Sequence, residues 1–256
     1  MGSEDVMEKI KPLLDRWQFS GRARSLHSSI IREILKDSSK PGVINFAGGL
    51  PAPELFPVEE IKSTCQVVLE KYGSDCLQYS LTTGIPPLRD LLAKRVSLGG
   101  LEYKPESIQI TAGSQQGLDI IGRVFLEPGS VVLTEEPTYV GAIQAFSFYD
   151  ARFISVATDS DGMLPDELEN KIIKYKPTMI YLVPNFQNPS GITMSKARRE
   201  AVIELAIKYD VPVIDDNPYR ELRYLGEHVP SLKAMDREHV IQLGTFSKII
   251  SPGLRI

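Results

Sequence analysis

The chain has 256 residues, 42% of them hydrophobic and 24% charged, with a formal net charge of −4. That is a globular composition with material for a sizeable core. It gives no electrostatic reason to expect nucleic acid or an anionic membrane as partner, and no apolar run approaches the roughly 20 residues of a membrane span. Cys65 and Cys76 are the only cysteines, in no C-x-x-C pattern. Met1 to Asp15 has no basic region followed by an apolar one, so a cytoplasmic chain with reduced thiols is expected. His27, His228 and His239 are scattered without metal-ligand spacing, so they read as structural or exposed and no metal site is expected.

Residues 1 to about 58 lack a sustained pattern, apart from a helix-like stretch around Ile30 to Lys36. The segment Phe46-Ala47-Gly48-Gly49-Leu50-Pro51-Ala52-Pro53 reads as a loop, because its Gly and Pro residues interrupt both periodicities. Ile61, Cys65, Val68 and Leu69 recur at helical spacing and predict a helix over 58–72. Pro86 and Pro87 open another that runs to Val96. Short runs rich in Val and Ile then predict strands at 107–111, 131–134, 152–156, 178–183, 211–214 and 240–243, with helices at 114–126, 165–175 and 195–209. Such alternation predicts an α/β fold, a largely parallel sheet covered by helices on both faces. Ligands in such sheets bind beyond the carboxyl ends of the strands.

Strand 107–111 leads through Ala112-Gly113 to Ser114 and Gln115 at a helix start, either a phosphate site or a Ser N-cap with nothing bound. There is no G-x-G-x-x-G fingerprint and no G-x-x-x-x-G-K-[ST] loop, which removes support for dinucleotide and nucleoside triphosphate sites. Tyr139, after strand 131–134, either stacks on a planar ligand or simply packs. Asn188-Pro189-Ser190-Gly191, after 178–183, is also an ordinary turn sequence. Asp215 and Asp216 follow strand 211–214 as metal or cation ligands, or as plain loop residues. After strand 240–243 comes Thr245-Phe246-Ser247-Lys248, where a lysine beside a buried strand tends to have a lowered pKa suited to a Schiff base. Arg255 has the fork to clamp an anion.

In order and spacing, these segments resemble the fold-type I pyridoxal 5′-phosphate (PLP) enzymes of the class I/II aminotransferase family, from about residue 20 onward. Asn188-Pro189-Ser190-Gly191 matches N-P-x-G, Asp216-Asn217-Pro218-Tyr219 matches D-x-x-Y, and Thr245-Phe246-Ser247-Lys248 matches [ST]-x-[ST]-K. Tyr79, Gly84 and Leu88-Arg89 resemble the family's Y-x-x-x-x-G-x-x-x-L-R element. Phe46-Ala47-Gly48-Gly49-Leu50-Pro51 with Phe56-Pro57 is similar to the branch of 2-aminoadipate, kynurenine and broad aromatic aminotransferases.

The resemblance implies an aspartate aminotransferase-like large domain at 59–256, incomplete at its C-terminal end, and an N-terminal arm at 1–58 that covers the substrate. It implies that Lys248 holds PLP as a Schiff base and then moves the substrate Cα proton, while Asp216 pairs with the ring nitrogen. Asn188 and Tyr219 would bond the ring's phenolic oxygen. Ser114, Gln115, Thr245, Ser247 and Arg255 would hold the phosphate, and Tyr139 would stack on the ring. Gly49 and Asn188 would lie beside the substrate, and Arg22 rather than Arg24 would meet a distal carboxylate, unless that segment is simply a solvated basic one. Tyr79 would reach the partner subunit's phosphate, which implies a homodimer. The expected reaction is amino transfer from 2-aminoadipate, aromatic or branched amino acids to a 2-oxo acid such as 2-oxoglutarate. Carbon-sulfur lysis on the same fold is an alternative, and so is the effector domain of a PLP-binding transcription regulator. The latter needs a DNA-binding module that the segment before Phe46 is too short to supply. The arginine that binds the α-carboxylate in the family falls beyond Ile256, so the chain is expected to be a piece of a longer enzyme.

Overall fold

The computed structural model describes residues 16–24, 42–44, 49–97 and 103–256. The helix-like stretch Ile30 to Lys36, His27 and Phe46 to Gly48 lie outside the described residues. The helices are α1 Gly21–Arg24, α2 Val58–Tyr72, α3 Pro86–Ser97, α4 Ser114–Phe125, α5 Val140–Ser147, α6 Pro165–Tyr175, α7 Lys196–Tyr209 and α8 Leu232–Met235. The strands are β1 Val131–Glu136, β2 Arg152–Asp159, β3 Gly162–Met163, β4 Met179–Leu182, β5 Val213–Asp216 and β6 Val240–Leu243.

Among the described residues the six strands form one sheet in the order β3-β2-β1-β4-β5-β6. Every pairing is parallel except the short β2–β3 ribbon. The period-two alternation of a strand divides the core in two. Val131, Leu133, Ile180, Leu182 and Val213 face α6 and α7, meeting Leu168, Ile172, Val202, Ile203 and Ala206. Val132, Met179, Tyr181 and Ile214 point the other way, against Leu118 and Ile121 of α4 and Ala142 and Phe146 of α5. This is the two-faced sheet expected of such runs. The chain runs from β1 outward to β2, then returns to the other side of β1 with β4. The carboxyl ends of β1 and β4 therefore flank the point where the strand order reverses, the usual ligand crevice of an open parallel sheet.

Three expectations change. The run 107–111 is not a strand: residues 105–107 form a 3-10 turn, and the N–H of Ile110 donates to Thr83 O at 3.0 Å. An extended run becomes a strand only beside a neighbour with a free ladder, and β6 pairs with β5 alone. Asp215 and Asp216 are not loop residues but the last two residues of β5, both buried. Ser114 is not an N-cap, because Gly113 fills that position at φ 75° with no side-chain cap. No helix among the described residues is long and apolar enough to cross a membrane.

Leu182 is wholly buried in the α6–α7 side of the core. Leu182→Ala is expected to lower the unfolding free energy by about 2–5 kcal/mol, the usual cost of a core cavity. Leu225→Ala, at an 86% exposed position, should change it by less than about 0.5 kcal/mol. Urea titrations of the two variants compare them directly.

Candidate active site

The carboxyl ends of β1, β4, β5 and β6 bring together most of the polar residues singled out in the sequence. At the end of β5 the Asp216 carboxylate is buried, and its Oδ2 accepts the Tyr181 hydroxyl at 2.7 Å. Its Oδ1 is buried as well and finds no partner among the described residues. Burial pushes the Asp216 carboxyl up to about 6, against the stabilising Tyr181 bond. A buried acceptor left open at a strand end suits a ligand that donates a proton there.

Asn188 Nδ2 donates to the Tyr219 hydroxyl at 3.1 Å, joining the loop after β4 to the loop after β5. Burial raises the Tyr219 phenol, with the Asn188 bond opposing the rise. The half-buried Tyr139 phenol is raised by burial first and by the nearby Asp216 charge second. Both hydroxyls therefore stay protonated near neutrality. The Tyr139 ring lies on Gly141, where a Cβ would come within 2.4 Å of it, so only glycine leaves room for that ring.

After β6 the chain turns through Thr245, Ser247 and Lys248. Thr245 Oγ1 bonds Ser247 Oγ at 2.9 Å. Lys248 Nζ donates to the Gly49 carbonyl at 3.3 Å, which brings Gly49 to the lysine. Burial lowers the Lys248 pKa, so its amine loses a proton more readily than an exposed lysine does. Arg255 adopts φ 57° and sends Nη2 to Ala112 O at 3.1 Å, over the start of α4. A Cβ on Gly113 would lie 3.1 Å from that guanidinium. The twelve-residue helix α4 thus begins with uncapped N–H groups, with Ser114 in its first turn and a cation above it, an arrangement that suits a dianionic phosphate. Gln115, also in that turn, donates to Gly141 O at 3.1 Å and ties the α4 start to the Tyr139 platform.

Two residues stand apart. Tyr79 is fully exposed. The Arg22 guanidinium lies 5.8 Å over the Tyr149 ring, which is itself held by Asp119 in the second turn of α4, so its visible contact is not with Lys248 or Asp216. Among the described residues no group of three or more His, Cys, Asp or Glu is placed to hold a metal ion.

Sequence reasoning missed the residues beneath the site. Arg199 of α7 is wholly buried, with the Asp215 charge nearby. Its guanidinium donates to Met194 O (3.0 Å), Pro230 O (2.9 Å), Pro184 O (2.8 Å) and Asn185 Oδ1 (2.9 Å). Asn185 Nδ2 in turn donates to Asn217 Oδ1 at 2.8 Å. Glu135 at the end of β1 is buried and accepts the Val183 N–H at 2.9 Å and, more weakly, Gln187 Nε2 at 3.4 Å. Gln187 also donates to Pro137 O and accepts the Ser190 N–H, bracing the loop that carries Asn188. Within apolar runs and a helix, these residues carried no pattern that separates them from ordinary core or surface positions.

Comparison with known proteins bears on this geometry. Residues 41–256 match the family described as aminotransferase class I and II. The chain is 46% identical over 260 residues to aromatic-amino-acid aminotransferase 1 of Thermococcus litoralis, covering 98% of this chain and 62% of that protein. It is 43% identical to a 2-aminoadipate transaminase of Thermus thermophilus, covering 96% and 62%. A crystal structure of a Pyrococcus horikoshii kynurenine aminotransferase in complex with PMP superposes with a TM-score of 0.87 at 44% identity, covering 94% of this chain and 61% of that one. The chain thus spans about three fifths of the length of the curated relatives it matches.

Burial pushes the Glu135 carboxyl up to about 8, with the Val183 and Gln187 bonds opposing. A carboxyl raised on folding holds its proton longer in the native than in the unfolded chain, so stability falls as pH rises from about 4.5 towards 8. Glu135→Gln, an uncharged mimic of the protonated side chain, is expected to match the parent at pH 5 and exceed it in unfolding midpoint at pH 9. Equal midpoints at pH 9 would contradict this assignment.

Proposed function

The chain belongs to the aminotransferase class I and II family, and from that premise we propose that it is the cofactor-binding portion of an aminotransferase. It moves an amino group from 2-aminoadipate, an aromatic or a branched amino acid to a 2-oxo acid, foremost 2-oxoglutarate. The observation that carries this reading is the open, buried Oδ1 of Asp216 at the same sheet edge as the Lys248 amine.

The cofactor is pyridoxal 5′-phosphate, and the residues present fit it. The start of α4, with Ser114 and Gln115, and Ser247, Thr245 and Arg255 would hold the phosphate. Asp216 would take the ring nitrogen, the bonded pair Asn188 and Tyr219 the ring hydroxyl, and Tyr139 one face of the ring. When bound, the cofactor supplies an aldehyde that condenses with amines and a conjugated ring that draws electrons from the adjoining carbon.

The chain's own residues do the rest. Lys248, with its depressed proton affinity, would be the base that moves the proton between the substrate Cα and the cofactor's C4′. Asp216, anionic above about pH 6, keeps a proton on the ring nitrogen. Asn188 and Tyr219 orient the ring hydroxyl, and Tyr139 excludes water from the ring face. Gly49 and Asn188 border the substrate. Arg22 serves a distal carboxylate only by leaving the Tyr149 ring, so of the substrate roles it has the least support. Residues 1–58 act as the covering arm and 59–256 as the cofactor-binding domain.

A homodimer is part of the same reading. Val58, Val67, Leu69 and Tyr72 of α2 are exposed, as are Leu77, Tyr79, Leu81 and Ile85 just beyond it. That is more clustered apolar surface than a monomer normally leaves in water, and Tyr79 within it would reach the partner's phosphate site. The free thiols Cys65 and Cys76 agree with a cytoplasmic location.

The protein loaded with PLP is expected to show a near-visible absorbance band that bleaches on adding an amino donor and is absent in Lys248→Ala. A colourless protein that takes up no PLP would overturn the cofactor reading. Keto acid formed with stoichiometric glutamate would mark amino transfer, whereas pyruvate, ammonia and a thiol would mark the lyase alternative. Sedimentation at micromolar concentration should give twice the chain mass, and Tyr79→Phe should weaken PLP retention about tenfold, the loss of one hydrogen bond to a charged group.

A further inference from the structure

Tyr181 is the third residue of β4 and is wholly buried. Its ring packs edge-on against Phe146 of α5, with centroids 5.8 Å apart, within the α4–α5 side of the core. A phenol in such a place needs a partner for its O–H, and the sheet supplies one. Tyr181 pairs in register with Ile214, and Asp216 lies two residues further along β5, so both side chains point to the same face. The hydroxyl donates to Asp216 Oδ2 at 2.7 Å, the short distance of a bond to an ionised acceptor.

The other carboxylate oxygen is buried and unpartnered. A free carboxylate at a strand end turns about χ2 and offers either oxygen. One whose Oδ2 is fixed offers only Oδ1, in one direction. We propose that Tyr181 is the positioning residue for Asp216, holding the carboxylate in a single orientation so that Oδ1 alone faces the cofactor's ring nitrogen. This rests on the PLP reading above.

The hydrogen bond also favours the charged form of Asp216 against its burial. The other titratable groups around the pair are Tyr139 before α5, Tyr219 after β5, Asp215 beside it and Glu135 on β1. Burial raises the proton affinity of all four, so Tyr181 is the neutral donor in direct contact with the carboxylate.

Tyr181→Phe removes the hydroxyl and keeps the ring against Phe146. The experiment measures the affinity of parent and variant for PLP and for its 1-deaza analogue, in which carbon replaces the ring nitrogen. The proposal expects PLP to bind about ten- to a hundredfold more weakly to the variant, the factor of one hydrogen bond to a charged group, and the analogue to bind both proteins equally. An unchanged PLP affinity, or an equal loss for both ligands, overturns it. In an Asp216→Asn background the proposal expects Tyr181→Phe to cause no further loss of PLP affinity, and a further loss there overturns it too. A parent that binds PLP while the variant behaves identically removes only the role of Tyr181. A parent that binds no PLP removes the cofactor reading itself.

Discussion

A wholly buried guanidinium that needs an acceptor for each of its N–H groups is the constraint around which the site is arranged. Arg199 is fully buried, and leaving such a group unsatisfied costs more than a typical core contact supplies. Its acceptors are the backbone at Pro184, the side chain of Asn185, the backbone at Met194 and the backbone at Pro230. Two lie at the start of the loop after β4 and one at its end. The loop that carries Asn188 is therefore bracketed from below by the helix that fills the α6–α7 core. Burial lowers the Arg199 pKa to about 10, so it remains a cation at neutral pH. Asn185 extends the constraint sideways to Asn217, next to Asp216. Packing of α7, a matter of Val202, Ile203 and Ala206, thus becomes positioning of the loops after β4 and β5.

Electrostatics at the strand ends follows from the same dryness. Glu135, Asp215 and Asp216 sit at the ends of β1 and β5, and burial raises the proton affinity of all three. They differ in what opposes the rise. Two hydrogen bonds act on Glu135, the charge of Arg199 acts on Asp215, and the Tyr181 hydroxyl acts on Asp216. Asp215 and Asp216 each keep one buried oxygen without a partner among the described residues, and of the two it is the Asp216 charge that acts on Tyr139 and Tyr219. Neighbouring acids of one chemical type are thus set apart by their surroundings, one tied to loop structure, one beside a buried cation and one bonded to a buried phenol.

Much of the sheet was legible because buried parallel strands are written as short Val- and Ile-rich runs, and 240–243 and helix 58–72 fall where the periodicity puts them. The residues with polar chemistry after each strand were legible for a related reason, since the chain must deliver them to one edge of the sheet. The run 107–111 reads as a strand and is not one, because a local run cannot say whether a neighbour with free backbone groups will lie beside it. Asp215 and Asp216 looked like loop because carboxylates seldom end a buried strand, and here Arg199 and Tyr181 make that tolerable. Tyr181 was invisible for the opposite reason. In an apolar run its ring explains its presence, and its hydroxyl acquires meaning only when β5 pairs alongside. Arg199, one of three cations in the Lys196 to Arg199 stretch, carried no mark of burial at all.

The sheet order has a consequence in time. The start of α4 and the guanidinium of Arg255 that lies over it are sequence neighbours of nothing in common. A ribosome adding about 5–20 residues each second makes the first roughly ten seconds before the second. Strands β1, β4, β5 and β6 emerge in the order in which they extend the sheet on one side of β1, so the growing edge always meets its next neighbour. The anion cradle closes only when the last of these segments has left the tunnel. A nascent chain can therefore have the strands from β1 to β6 paired before Arg255 arrives over the start of α4.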